Sequence, residues 1–396
     1  MVIKGSRNQR IGTHVSSSFA GETVRAYVPA PLPPKPPVRL DGVQVLLEQA
    51  NQALGRLDGL ASALPDVSLF IYGYVRKEAV LSSQIEGTES SLSDLLLFEN
   101  EEAPGVPVQD VQDVSNYVAA LYHGLRRLRE GFPLSLRLIR EIHKELLSRG
   151  RGRGKEPGEF RRTQNWIGGT RPGNALFVPP PAALVMECMG KLELFIHDER
   201  KDMPLLIKAA LMHVQFETIH PFLDGNGRLG RLLVTFLLCE AGALKEPILY
   251  LSLFFKTHRQ LYYDLLNRVR TKGDWEAWIE FFLEGIKETS EQAVAAARRI
   301  LNLLEADRKS IATLGRPAAS ALKLYQFSQT NPIFSIAATA KKVGVSFPTV
   351  SAAVDHLQRL GILEEITNRR RSRLFVYRKY LDILSEGTTP LPVDGG

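Results

Sequence analysis

From Val43 onward the apolar residues recur at spacings of three and four, with Val43, Leu46, Leu47, Ala50 and Leu54 forming the first such stripe. That period puts them on one face of a helix, the face a helix turns towards a core. The same spacing returns over 68–86, 110–130, 134–148, 182–197, 203–219, 228–241, 257–269 and 274–306, so the expected fold class is mainly α. Residues 158–180 break the rule. They join Trp166-Ile167-Gly168-Gly169 to the turn formers Arg171-Pro172-Gly173-Asn174 and the apolar run Ala175-Leu176-Phe177-Val178, which reads as a short β hairpin among helices. A basic, glycine-alternating loop at 149–155 precedes it.

The two ends follow other patterns. Residues 1–40 lead through Gly, Ser and charged positions into six prolines from Pro29 to Pro37, and are expected to form a flexible Pro-rich arm laid over the surface. Residues 310–382 predict a small winged helix-turn-helix domain. Its short helix spans 336–343, Gly344-Val345-Ser346 is the turn, 347–360 is the second helix and 362–377 a charged β ribbon. Between these ends we expect an N-terminal helical region at 41–132 and a helical core at 133–306, with a tail at 383–396.

Composition narrows the class. At about 100–200 residues per domain, 396 residues allow two or three domains. A 44% hydrophobic and 23% charged chain excludes a disordered or collagen-like protein. Cys188 and Cys239 are the only cysteines, which excludes a disulfide scaffold and a cysteine-based zinc site and fits a cytoplasmic location. Lys4, Arg7 and Arg10 are not followed by the apolar stretch of a signal peptide. The longest apolar stretch, 232–244, contains Glu240 and is shorter than the roughly 18 residues of a span, so no membrane partner is expected. Charge is unevenly spread: residues 310–380 hold eleven Lys/Arg and three acids, a net +8 where the whole chain has +7.

The sharpest chemical signal is His220-Pro221-Phe222-Leu223-Asp224-Gly225-Asn226-Gly227-Arg228-Leu229-Gly230-Arg231. A helix over 203–219 ends at His220, because Pro221 cannot continue it. Glycines on either side of Asn226 free the backbone to approach a ligand, and a new helix from about Arg228 points unpaired amides and a positive dipole end into the loop. With Arg228 and Arg231 one turn apart, this makes an anion nest suited to phosphates. Asp224 supplies a hard oxygen for magnesium, and His220 has the ordinary pKa of a base at neutral pH.

Those residues resemble the signature of the Fic domain proteins, H-x-F-x-[D/E]-G-N-G-R-x-x-R, at every fixed position: His220, Phe222, Asp224, Gly225, Asn226, Gly227, Arg228 and Arg231. The resemblance implies a helical core that transfers AMP from ATP to a Ser, Thr or Tyr hydroxyl of a target protein. In that reading His220 is the general base and Asp224 holds Mg2+ across the α and β phosphates. Asn226 and the amides of Gly225 and Gly227 cradle the phosphates within the ATP-binding run Gly225 to Arg231, Leu229 and Gly230 included. Arg228 neutralises the departing pyrophosphate and Arg231 holds the γ phosphate.

The resemblance extends outside the loop. The hairpin at 158–180 looks like the family's flap, which docks a target strand by main-chain pairing and, through Ile167, Gly168 and Gly169, covers the nucleotide. The segment around Tyr262 and Tyr263 is similar to one whose tyrosine lines the adenine pocket, Tyr263 being the preferred candidate. Ser82-Ser83-Gln84-Ile85-Glu86-Gly87 matches the family's inhibitory motif [S/T]-x-x-x-E-[G/N] on a helix at about 68–87. There Ser82 belongs to the motif, Glu86 pairs with Arg231 in the place of the γ phosphate, and Gly87 ends the helix. Relatives of this kind are usually homodimers.

Other readings remain open. The toxin relative Doc moves a phosphate, but it departs from the signature inside the Gly-Asn-Gly-Arg stretch, which this sequence keeps. A bifunctional enzyme that also removes AMP would use Glu86 to activate a water. A regulator would use the core as a nucleotide sensor and contact DNA through 336–377, with Ser346, Thr349, Ser351 and Arg359 on or near the recognition helix and 369–373 as a basic wing. His143, His197, His213 and His258 have no metal-ligand spacing; His213 and Glu217 lie one turn apart without a third ligand, so packing or surface roles are expected.

Overall fold

The structure is a computed structural model that describes residues 10–19, 21–63, 68–99, 108–198, 203–367 and 373–390. It opens with strands β1 (Thr13–Phe19) and β2 (Glu22–Val28), followed by helices α1 (Gln44–Ala63), α2 (Ser68–Ile85), α3 (Leu92–Glu99), α4 (Val108–Arg129) and α5 (Leu136–Leu146). After a loop region come α6 (Ala182–Ile196), α7 (Leu205–Ile219), α8 (Asn226–Glu240), α9 (Ser252–Thr257), α10 (Arg259–Lys272) and the 38-residue α11 (Trp275–Ala312). The C-terminal part is α12 (Ala318–Thr330), β3 (Ile333–Ser335), α13 (Ile336–Val343), α14 (Phe347–Arg359), β4 (Glu364–Glu365), β5 (Leu374–Val376) and α15 (Arg378–Ser385). The molecule is mainly α, as its periodicity predicts.

Two helices form the centre. In α7 every residue from Leu206 to Ile219 except Lys208 is buried, and α8 is buried from Arg228 to Leu238. A helix apolar on all sides must be enclosed by others; α6, α10 and α11 pack on α7, and α2, α4 and α5 on α8. Local chemistry sets the ends. Ser135 and Asp274 accept from the amides of Leu138 and Ala277 at the starts of α5 and α11, and Pro181 and Pro204 stand before α6 and α7.

The arm expected at 1–40 is ordered where it is described. β1 and β2 pair antiparallel from Thr13↔Val28 to Phe19↔Glu22, and Gly21 at φ 81° lies in the turn between them. The inward face of β2, Val24 and Ala26, packs on Val178, Trp166 and Ala175.

The hairpin expected at 158–180 shrinks to one antiparallel bridge. Ile167 N donates to Phe177 O (2.8 Å) and Phe177 N to Ile167 O (3.1 Å) around a 3-10 turn at Pro172–Asn174. Its second limb does not end the layer: Tyr27 N donates to Val178 O at 2.9 Å, so β2 lies alongside. Short limbs need such a neighbour, because an isolated two-stranded ribbon is marginal in water.

In the C-terminal part β3, β5 and β4 form a sheet in that order, antiparallel throughout; β3 packs on α13, and α14 packs on α12 and α13. Ser335 and Ser346 cap α13 and α14. The ribbon tip at 368–372, which holds most of the expected basic wing, lies outside the described residues. Tyr377 ties this part to α11 through a hydroxyl bond to the Asp307 carboxylate, and its hydroxyl also bonds that of Tyr325 on α12 (3.1 Å). Among the described residues no helix is long and apolar enough to cross a membrane.

Candidate nucleotide site at the N-terminus of the central helix

His220 ends α7 in the left-handed region (φ 48°, ψ 61°), a conformation that costs a β-substituted residue energy unless its surroundings fix it. They do. The buried Arg161 donates through Nε to His220 O (2.9 Å) and through Nη2 to Pro180 O (2.6 Å), while its own amide donates to Pro221 O (2.9 Å). Asn165 Nδ2 donates to Phe222 O at 3.0 Å. One guanidinium and one amide thus bind both ends of the flap to the loop. Burial, reinforced by the charges of Arg161 and Arg270, pushes the His220 imidazole down to about 4, so the ring is neutral at pH 7. Its Nδ1 is shut from solvent, which leaves Nε2 as the nitrogen a ligand can reach.

The loop beyond it is held from inside. Asn226 Oδ1 accepts from Phe222 N and its Nδ2 donates to Phe222 O, both at 2.9 Å. The Asn226 side chain, expected to cradle phosphate, is therefore committed to the loop's own backbone. Phe222 stacks on His143 with ring centroids 3.7 Å apart. His143 accepts from Gly158 N at Nδ1 (2.8 Å), so its Nε2 donates to Asp224 O (3.0 Å). Gly225, in the left-handed region at φ 75°, starts α8, whose first-turn amides have no acceptor within the helix.

The charged side chains converge on that turn. Arg228 is buried with its Nε unpaired, and its Nη2 lies 3.7 Å from Asp224 Oδ1. Asp224 keeps 40% of its side chain exposed. The amide of Gly225 donates to Asp224 Oδ1 at 2.6 Å, so in this state it faces a carboxylate of its own loop. Leu229 points into the core and gives its amide to Gly225 O. Gly230 makes room for Glu217: a Cβ there would stand 2.3 Å from Glu217 Oε1.

Arg231 is buried and already paired. Its Nη2 donates to Glu86 Oε1 and to Ser82 O, and its Nε to Ser82 Oγ, each at 2.8 Å. Glu86 stands just beyond α2, where Gly87 turns away at φ 90°. Its carboxylate lies over the start of α8: a Cβ on Gly227 would be 2.1 Å from Glu86 Oε1. Burial works to raise the Glu86 pKa, but Arg231, with Arg228 and His220, outweighs it and holds the carboxyl below its ordinary range. A carboxylate thus occupies the anion position at the helix N-terminus.

The remaining predicted residues lie around this centre. Ile167 is half-buried, and Gly168 and Gly169, both left-handed, are exposed on the flap. Tyr262 is buried, its hydroxyl 2.8 Å from His213 Nε2, and His213 Nδ1 donates to Gly230 O (3.1 Å). That chain fixes Tyr262 from beneath α8 and gives His213 a structural role. Tyr263, 38% exposed, is the tyrosine of the pair with surface to offer a ligand. The flap-like stretch Phe160 to Gln164 contains Arg161 but its sequence assigns it no role, and Asn165 and Arg270 carry no signal in the sequence. Arg270 is a buried cation 4.0 Å over the Phe177 ring, bonded to Thr218 Oγ1. Among the described residues no group of three or more His, Cys, Asp or Glu is placed to hold a metal.

Fold and site together define a helical protein with a neutral histidine beside an arginine-flanked anion cradle. Residues 44–126 match the model described as Fic/DOC family N-terminal, and 133–238 that of the Fic/DOC family. Those two stretches are thus similar to the Fic/DOC domain and to the N-terminal domain described with it. It is 31% identical over 245 residues to protein adenylyltransferase Fic of Culex quinquefasciatus, covering 59% of this chain and 46% of that one. The same named protein of Aedes aegypti is 31% identical over 257 residues, covering 62% and 48%. The chain thus spans about half the length of the curated relatives it matches. A crystal structure of a Fic family protein from Desulfovibrio desulfuricans G20 shares the fold with a TM-score of 0.56 at 18% identity, covering 86% of this chain and 97% of that one.

Proposed function

We propose that the protein transfers AMP from ATP to a hydroxyl side chain of a target protein, and that Glu86 restrains the reaction. The supporting observation is the Glu86–Arg231 pair seated over the first turn of α8, beside a neutral His220. An acceptor hydroxyl gives its proton to His220 as its oxygen bonds to the α phosphorus, and the bond to pyrophosphate breaks. The first-turn amides of α8 and Arg228 meet the charge that develops, and the work is positioning and electrostatics. Arg231 takes the γ phosphate once Glu86 leaves. Asp224, exposed and the only carboxylate of the signature loop, fits a Mg2+ ion that draws its other ligands from phosphates and water. The ion would offset phosphate charge there. The flap presents the acceptor, with Tyr263 and residues 167–169 covering the nucleotide.

Intact mass after incubation with ATP and magnesium tests this, using the wild type, Glu86→Gly, and Glu86→Gly with His220→Ala. One AMP gained by Glu86→Gly, little by the wild type and none without His220 is the expected pattern. Nucleotide binding without any AMP gain, on the protein or on lysate proteins, would remove the transferase reading. A homodimer and a cytoplasmic location belong to the same proposal, and sedimentation of the full chain tests the first.

A second reading concerns 310–382, which we propose is a winged helix-turn-helix that contacts DNA. The concentration of the chain's basic excess there favours it.

A further inference from the structure

The last helix and the segment after it lie against α2, the helix that carries Glu86. Leu384 fills the space beside Gly73, where a Cβ would meet it at 2.7 Å. Gln84, two residues before Glu86, donates from its Nε2 to Thr388 O and to Ser90 O, both at 2.8 Å. Lys256 Nζ donates to Gly387 O (3.0 Å) and to Thr389 O. Thr388 is buried and its hydroxyl turns back to Ser385 O (2.8 Å). Segment 386–389 is therefore a strap across the end of the helix that presents Glu86.

Beside the strap is a cavity of about 290 Å³ between α2 and α11, lined by Lys77, Tyr250, Leu253, Arg299, Glu386 and Gly387 among others. Lys77 is 97% buried, given a relative exposure of 3%. Its Nζ sits 4.4 Å over the Tyr250 ring and has no hydrogen bond or ion pair among the described residues. Burial pulls this amine down to about 8, and Glu386 supports its charge only through space, without a hydrogen bond, so an anion in direct contact would be favoured. The single carboxylate lining the cavity, Glu386, belongs to the strap and is paired instead with Arg299 at 2.7 Å, both side chains being about half exposed. Exposed pairs of that kind are weak and exchange readily for another anion.

We infer that this cavity binds a small anion, a carboxylate or phosphate group with a compact body, between Lys77 and Arg299, and that its binding displaces Glu386 and loosens the strap from α2. Tyr250 and Leu253 offer the body an apolar wall. Freed from Thr388, Gln84 no longer holds the last turn of α2 against the core, and Glu86 leaves Arg231 more often. The regulatory half of the inference rests on the proposed role of Glu86; the site itself does not.

The test is calorimetry and hydrogen exchange on the full chain without nucleotide, with inorganic phosphate and acetate as separate probes. One binding event with at least one probe is expected to persist in the wild type and vanish in Lys77→Met, which keeps the side chain's length. Arg299→Gln, at the surface, should weaken that event at least fivefold. Amides over 84–87 and 386–389 should exchange at least threefold faster with anion bound, and Glu386→Gln should reproduce the change without anion. Phosphate at the α8 cradle would survive Lys77→Met and is thereby told apart. Binding unaffected by both Lys77→Met and Arg299→Gln, or binding with unchanged exchange at 84–87, overturns the inference. No step uses AMP transfer, so failure of the transferase reading and failure of this one are separate results.

Discussion

Glu217 shows how one residue sets a balance that sequence cannot display. It lies on α7 one turn before the catalytic candidate His220, buried, with Oε1 unpaired beside Gly230. Burial raises its carboxyl to about 7, against the pull of Arg231 and Arg270. Below pH 4.5 the group is protonated whether the chain is folded or not, and adds no pH dependence. Between 4.5 and about 7 the unfolded chain ionises first, so stability falls by about 1.4 kcal/mol per pH unit. Glu217→Gln removes that loss: its melting temperature should match the wild type near pH 4.5 and exceed it at pH 8, by about 3 kcal/mol at most. Equal melting curves for the two proteins at pH 8 would show that the carboxyl is not buried as described. Asn226 makes a second test. Asn226→Ala orphans the buried amide of Phe222, at about 1–3 kcal/mol, while the carbonyl keeps only the Asn165 amide, and should lower the melting temperature even with no nucleotide present. The sequence marked Asn226 as important through the signature but assigned it to phosphate. Only the structure shows it spent on Phe222, because a side chain four residues from its partner has no spacing rule that separates a staple from a ligand.

Among the elements, helices were legible and the contacts that aim them were not. α7 and α8 declare themselves by apolar period, and the proline and glycines between them mark the turn. Arg161 carries no such sign. It acts on carbonyls of residues 180 and 219–220, and a guanidinium that bonds backbone oxygens 19 to 59 positions away leaves no local pattern. The flap's weakness as a ribbon was equally invisible, since turn chemistry at 171–174 is the same whether one bridge or four follow it. A single bridge makes the flap depend on its neighbours, so Arg161→Gln should free it. We expect faster hydrogen exchange at 163–180 and a loss of the His220 geometry, read as a drop of at least tenfold in AMP gained by the Glu86→Gly background. If exchange at 163–180 stayed at the level of the unsubstituted protein, β2 alone would be holding the flap. The N-terminal hairpin gives the complementary experiment: deletion of residues 1–28 strips Tyr27 from Val178 and should speed the same amides.

At the scale of the whole molecule, charge is the organising fact. The chain's net +7 is smaller than the +8 held by 310–380, so the helical core and its N-terminal region are close to neutral while the C-terminal part is strongly cationic. Some of that charge is internally answered: Arg373 pairs with Glu365 at 2.7 Å and Arg378 with Glu364 at 3.4 Å across the ribbon. Lys341 and Lys342, exposed at the end of α13, are not, and Phe347 and Thr349 at the start of α14 are exposed beside them. That surface suits a polyanion, and a duplex that neutralises its charges on a few phosphates must release counterions. The logarithm of its affinity should then fall linearly with the logarithm of salt, at about 0.9 per phosphate contacted. Replacing both Lys341 and Lys342 with Gln should lower that slope by about two and weaken binding on unrelated sequences alike, as phosphate contacts do. The same substitutions lie far in sequence from the His220 loop and touch none of its partners, so AMP gain by the Glu86→Gly background should be unchanged. Binding that ignored salt would place the contact away from phosphates, and no duplex binding at low salt would make this basic part a surface for an acidic protein instead.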